Sequence, residues 1–197
     1  AYFKVSDQTH NIEKYIESNY LEAPNNLYDL LVVNNNLISE NKVQEIIFIW
    51  INFMQFFLDG SDIEKIRKFS KLGLIDGVTT NPSIILKSGK NMIEVISELA
   101  EIVSGSVSAE VSALDSEKMI EEGIKLSEIA KNVTVKLPIT WDGLEACKTL
   151  SKKGISVNMT LCFSSSQALL AAKAGAEYVS PFIGRLDDLN LEGIDLI

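Results

Sequence analysis

One lysine gathers the chemistry of this chain. In "VTVKLPITWDG" (residues 133–143), Val133 and Val135 alternate as a half-buried strand does. Lys136 then sets an ammonium at the apolar strand end, before Leu137 and Pro138. Most other lysines have polar or charged neighbours and fit solvated helix faces. Lys136 is either a snorkelling strand-end residue or a chemically used amine. Apolar burial disfavours an ammonium, and a neutral amine attacks a carbonyl to form a Schiff base. The iminium is an electron sink, so an adjacent carbon–carbon bond can break. Such chemistry needs a carboxylate to move protons on the hydroxyl that is lost or formed. It needs a second carboxylate, or a positioned water, for carbinolamine dehydration. Asp59 and Glu110 are the available pair.

These residues sit in a regular strand–helix alternation that begins near Met54. "QFFL" is the first strand, and Ser61-x-x-Glu64 reads as a capping box for a helix that Gly73 stops. "LIDGVT" is the second strand. Met92, Val95, Ile96, Leu99, Ile102 and Val103 form one apolar helix face after it. "SVSAEVS" is the third strand, and Asp115 caps the helix that follows. "VTVKL" is the fourth, with a helix through Leu144, Cys147 and Leu150. "ISVNMT" is the fifth, followed by an Ala-rich helix capped by Ser164-x-x-Gln167. "AEYVS" is the sixth. Strands that each lead into a helix or loop imply a parallel sheet wound by βα units.

Two α/β architectures fit that pattern. A flavodoxin-like sheet binds its ligand on a few loops at a switch point. A (β/α)8 TIM barrel collects polar groups from the C-terminal ends of many strands. Here every strand contributes one: Asp59, then Thr79 and Asn81, Glu110, Lys136, Asn158 and Thr160, and Ser180 with Arg185 beyond it. Each has a bland reading alone. Asp59 could belong to a turn, Glu110 could face water, Asn81 before Pro82 is a turn signal, and Arg185 could be a surface charge. Gathered on one rim they favour a barrel mouth. Hydroxyl and amide side chains there would orient a polyol, and an arginine would hold a terminal phosphate.

Composition narrows the classes. The 197 residues are 46% apolar and 23% charged, which suits a soluble domain with a full core. A net charge of −9 argues against a nucleic-acid surface. No apolar run reaches the length of a membrane span, and no signal peptide opens the chain. Cys147 and Cys162 lack C-x-x-C spacing, so they read as reduced thiols of a cytoplasmic protein rather than a zinc site or disulfide frame. His10 is the single histidine, which disfavours a Ser-His-Asp triad, a Cys-His pair or a His-rich metal site. "GVTTNPS" has too few glycines for a nucleotide-phosphate loop. The lysine chemistry requires no cofactor and no metal.

Residues 1–53 read differently. They hold nine Asn and no Gly, whereas residues 54–197 hold five Asn and all eleven Gly, and Met54 is the first methionine. A helix over His10 to Leu21, "LYDLLVV" and "VQEIIFIWINF" are the patterned stretches. The expectation is an N-terminal extension outside the natural enzyme, with Met54 as its natural start. The rival is a circularly permuted piece of the same fold.

The motifs resemble those of the transaldolase family, in its small microbial branch that also contains fructose-6-phosphate aldolases. "DGVTTNPSII" (Asp76–Ile85) matches one family signature and "VTVKLPITWDGLEACKTL" (Val133–Leu150) the other. "MQFFLD", "AEVSA", "NMTLCFS" and "YVSPFIGR" also fit in order and spacing, so the resemblance covers Met54 to about Asp188. It implies that Lys136 is the Schiff-base nucleophile. It further implies that Asp59 is the acid/base on the substrate hydroxyl, and that Glu110 with Thr160 holds the water of imine formation. Asn81, Asn158 and Ser180 would bind the dihydroxyacetone part, beside Thr79 and Phe182, and Arg185 the phosphate. Aldolases of the family tend to carry Gln and Tyr where this chain has Glu110 and Phe182, so the implied reaction is transaldolase. That reaction moves a ketol unit from sedoheptulose 7-phosphate to glyceraldehyde 3-phosphate in the pentose phosphate pathway. The alternatives are a fructose-6-phosphate aldolase, or an inactive fragment of either enzyme. The resemblance also implies sugar-phosphate substrates, a homo-oligomer when complete, and two further βα units beyond the six. Six strands do not close such a barrel, so the first and last are expected to have unpaired edges.

Overall fold

Parallel strands covered on both faces become continuously buried, and the strand Val133–Pro138 shows this, buried through Leu137 and half-buried at Pro138. The computed structural model of the chain describes residues 3–4 and 55–197. The patterned stretches over residues 10–53 lie outside the described residues. The strands are β1 (Phe3–Lys4), β2 (Phe57–Asp59), β3 (Gly77–Thr79), β4 (Val107–Glu110), β5 (Val133–Pro138), β6 (Val157–Cys162) and β7 (Tyr178–Pro181). Between and after them lie α1 (Ile63–Lys71), α2 (Pro82–Ser88), α3 (Met92–Ile102), α4 (Ser116–Ser127), α5 (Trp141–Lys152), α6 (Ser165–Ala174) and α7 (Ile183–Asp187).

The sheet order is β1-β7-β6-β5-β4-β3-β2. All pairs are parallel except β1 with β7. The six parallel strands curl. The rings of Phe57 on β2 and Tyr178 on β7 pack edge to face with centroids 5.6 Å apart. A flat sheet would hold those strands about 24 Å apart, five strand spacings. The structure is a partial (β/α)8 barrel with six βα units in this chain. The expected unpaired edge of the last strand needs correction: Phe3↔Val179 and Lys4↔Tyr178 pair antiparallel along it.

Alternation assigns each strand residue to one of two layers. Val133, Val135 and Leu137 on β5, with Val107 and Ala109 on β4 and Val157 and Met159 on β6, belong to the apolar core. They pack there with Val95, Ile96 and Leu99 of α3 and Ala146, Cys147 and Leu150 of α5. The residues between them turn to the barrel interior and are polar. Ser108, Thr134, Lys136, Asn158, Thr160 and Ser180 are all buried. No helix among the described residues is long and apolar enough to cross a membrane.

Local signals explain most boundaries and correct two expectations. Asp115 and Ser164 cap α4 and α6, accepting from Lys118 N and Gln167 N. Gly73 follows α1 with φ +65°. The capping box at Ser61 does not form. Asp62 is the cap of α1, accepting from Lys65 N, and the Ser61 hydroxyl instead donates to the Ile84 carbonyl. Residues 74–76 are not strand. Asp76 turns there, with its carboxylate accepting from Phe56 N at 2.8 Å and its own N–H donating to Phe56 O.

Candidate active site

Lys136 lies on the inward face of β5, paired in register with Glu110 on β4 and Asn158 on β6. Its side chain is 4% exposed, and Nζ lies 3.2 Å from Glu110 Oε2. It also donates to the Thr80 carbonyl at 3.1 Å. The bland reading, an amine snorkelling to solvent, is thereby replaced by an enclosed amine with a carboxylate beside it. Its immediate surroundings are more polar than the apolar strand suggested.

The ends of β2 and β3 bring in Asp59. Thr79 Oγ1 donates to Asp59 Oδ1 at 2.7 Å, across strands whose register pairs the two residues. Thr79 is fully buried, while Asp59 is exposed at the strand end. The amine and this carboxylate therefore contact consecutive residues. Lys136 reaches the Thr80 carbonyl and Asp59 takes the Thr79 hydroxyl.

Three further buried polar groups cross the interior in a chain. Ser180 Oγ donates to Asn158 Oδ1 at 2.7 Å, and Asn158 Nδ2 donates to Ser108 Oγ at 3.1 Å. β4 and β6 are not neighbours, so the Asn158–Ser108 bond spans the barrel interior over β5, as layers from alternate strands do. Thr160 follows Asn158 on the same face. It is 1% exposed, and its Oγ1 has no hydrogen-bond partner among the described residues. Buried hydroxyls ordinarily have partners, so such a group marks a place for a ligand or a water.

The remaining expected residues lie at the margin. Asn81 is the cap of α2, with Oδ1 accepting from Ile84 N at 2.9 Å. The turn reading of Asn81 thus holds, and it takes up the side-chain oxygen. Phe182 follows β7, and its ring meets that of Phe163 edge to face with centroids 5.6 Å apart. Arg185 stands apart from the buried cluster. Its side chain is 71% exposed, pairs with Asp188 at 3.4 Å, and lines a surface recess with Pro181 and Phe182.

Three site features escaped the sequence reading. Ser108 precedes Glu110 by two residues, so strand alternation alone places it inward. The Thr80 carbonyl is backbone and leaves no signature. The third is a bulge in β6 between Met159 and Cys162, where Leu161 takes φ +60°. Nothing in "NMTLCFS" marks a left-handed leucine.

The family model described as transaldolase/fructose-6-phosphate aldolase matches residues 56–195. A protein of Roseobacter denitrificans called "Probable transaldolase" is 65% identical over 144 residues. Proteins of the same description from Ruegeria sp. and Parvibaculum lavamentivorans are 63% and 62% identical over the same length. Each match covers 73% of this chain and 66% of the relative, so the chain spans just under two thirds of the length of these curated relatives.

Proposed function

Because the chain belongs to the transaldolase/fructose-6-phosphate aldolase family, we propose that it carries a transaldolase site whose covalent group is the Lys136 amine. The observation that carries this reading is the enclosed Lys136 Nζ, held between Glu110 Oε2 at 3.2 Å and the Thr80 carbonyl at 3.1 Å. An ammonium must lose a proton before it attacks, and Glu110 is within reach to take it. The free amine adds to the ketose carbonyl and gives a carbinolamine. Glu110 then returns the proton to the departing hydroxyl, and water leaves as the iminium forms. Thr160 Oγ1, buried and without a partner among the described residues, offers that water a hydrogen bond.

Asp59 serves the next step. Its carboxylate takes the proton of the substrate hydroxyl while the neighbouring carbon–carbon bond breaks toward the iminium. An aldehyde departs and an enamine stays on Lys136. The Thr79 hydroxyl fixes the carboxylate for this transfer. Asn158 and Ser180, locked to each other, offer a rigid polar wall to the three-carbon unit. Asn81 contributes its amide nitrogen. Arg185 receives the phosphate by exchanging its exposed Asp188 partner for it.

The donor is sedoheptulose 7-phosphate and the acceptor glyceraldehyde 3-phosphate, which places the reaction in the pentose phosphate pathway. The second reading is fructose-6-phosphate aldolase, in which the enamine is protonated and free dihydroxyacetone leaves. Phe182 favours transfer, because a phenyl ring has no proton to give. The assay measures ketol transfer from fructose 6-phosphate to erythrose 4-phosphate alongside dihydroxyacetone release without an acceptor. Transfer faster than release supports transaldolase, and release faster than transfer replaces it with the aldolase. Phe182→Tyr adds a phenol and is expected to raise release.

A further inference from the structure

We propose that Phe163 is a positioning residue that holds the Phe182 ring over the mouth and so keeps the three-carbon unit on Lys136. The proposal rests on the Schiff-base reading above. It starts from the β6 bulge. One extra residue enters β6 between Met159 and Cys162, and Leu161 sits there at φ +60°. A left-handed leucine is sterically costly, so neighbouring contacts must hold it. The bulge follows directly on Thr160, whose register with Pro138 on β5 is regular. Bulges of this kind re-aim the residues after them.

Two contacts profit from that change of direction. The Cys162 carbonyl accepts from Phe182 N at 2.9 Å. The Phe163 ring reaches Phe182 edge to face at 5.6 Å. Phe163 is itself anchored, since its N–H donates to Gln167 Oε1 at 2.8 Å. Phe182 is thus held at its backbone and at its ring by consecutive residues of β6 and the turn after it. The same ring lines the recess that contains Arg185. Phe182 also lies two residues beyond Ser180, whose buried hydroxyl bonds to Asn158, the register partner of Lys136, so a held ring there keeps water from the enamine. If water enters, the enamine carbon takes a proton from it and becomes the iminium. A second water then adds, the carbinolamine collapses, and dihydroxyacetone leaves as the Lys136 amine is restored.

An edge-to-face aromatic pair biases its geometry by roughly 2- to 10-fold, and the loss of the unit should accelerate by that factor. The test loads the 197-residue chain with fructose 6-phosphate and removes excess substrate. Samples are quenched with borohydride at intervals, and the Lys136 adduct is counted by mass spectrometry. Phe163→Leu keeps apolar bulk but removes the ring edge, and the adduct is expected to decay about 2- to 10-fold faster. Phe163→Tyr keeps the edge and matches the parent. Leu161→Gly takes the left-handed conformation freely and also matches the parent, whereas the β-branched Leu161→Val behaves like Phe163→Leu. Equal decay in the parent and in Phe163→Leu overturns the proposal while leaving the Schiff base intact. Absence of any adduct in the parent overturns the Schiff-base reading, and this inference with it.

Discussion

Replacing Ser180 by alanine is expected to destabilise the protein or to stabilise it, according to the residue at position 158. In the unmodified chain Ser180 Oγ donates to Asn158 Oδ1 at 2.7 Å. Ser180 is 2% exposed and Asn158 1%, so solvent cannot replace the lost donor. An orphaned buried acceptor costs about 1–3 kcal/mol. Asn158→Leu reverses the situation. It fills similar space but deprives both Ser180 Oγ and Ser108 Oγ of their partner. In that background Ser180→Ala removes a stranded hydroxyl and recovers about 1–3 kcal/mol. The two effects differ in sign, so a double-mutant cycle yields a coupling of roughly 2 kcal/mol or more. Urea unfolding followed by circular dichroism reads it. With a slope near 2 kcal/mol per molar urea, each step moves the midpoint by about 0.5–1.5 M. Equal destabilisation by Ser180→Ala in both backgrounds would refute the argument, because the hydroxyl would then owe nothing to Asn158.

Four further outcomes follow from other parts of the molecule. Gly143→Ala drives a methyl into the Pro138 carbonyl at the junction of β5 and α5, and is expected to cost about 1–3 kcal/mol, seen as a lowered melting temperature. Burial pushes the Cys147 thiol up to about 12. The unfolded chain therefore releases that proton first as pH rises, and stability falls between the ordinary thiol range and that value by about 1.4 kcal/mol per pH unit. Below that range the contribution is intact, and Cys147→Ala removes this part of the alkaline slope in urea titrations at stepped pH. Thr79→Val frees the Asp59 carboxylate from its 2.7 Å bond but keeps the carboxylate itself, and is expected to slow cleavage by about 10-fold, less than the roughly 10²- to 10⁴-fold of a whole general-acid/base contribution, with adduct formation unchanged in rapid-quench trapping. Asp59→Ala is expected to impair cleavage more than imine formation and Glu110→Ala the reverse; equal loss of trapped species in both variants contradicts the division of their protons.

Much of this arrangement is legible in the residues because a parallel barrel turns a one-dimensional alternation into a sorting of side chains. Val133, Val135 and Leu137 go to the helices, and Lys136 between them can only face inward. The same rule carries Asn158, Thr160 and Ser180 to the interior. What was not legible depends on contacts between distant segments. Ser61 and Asp62 are both good caps, and the choice fell to Asp62 because the Ile84 carbonyl, 23 residues away in sequence, takes the Ser61 hydroxyl. The Leu161 bulge depends on how β6 meets β7 beyond Ser180, which no local pattern announces. Pairing of Phe3–Lys4 on the β7 edge was equally hidden, since two residues carry no periodicity.

In the proposed reaction the Lys136 amine forms the covalent bond. Incubation with fructose 6-phosphate and borohydride, followed by peptide mapping, tests it directly. A single reduced three-carbon or six-carbon adduct on Lys136 is expected. None is expected in Lys136→Arg, because a guanidinium stays protonated and does not attack. A reduced adduct on another lysine, or no adduct with Lys136 intact, would contradict it.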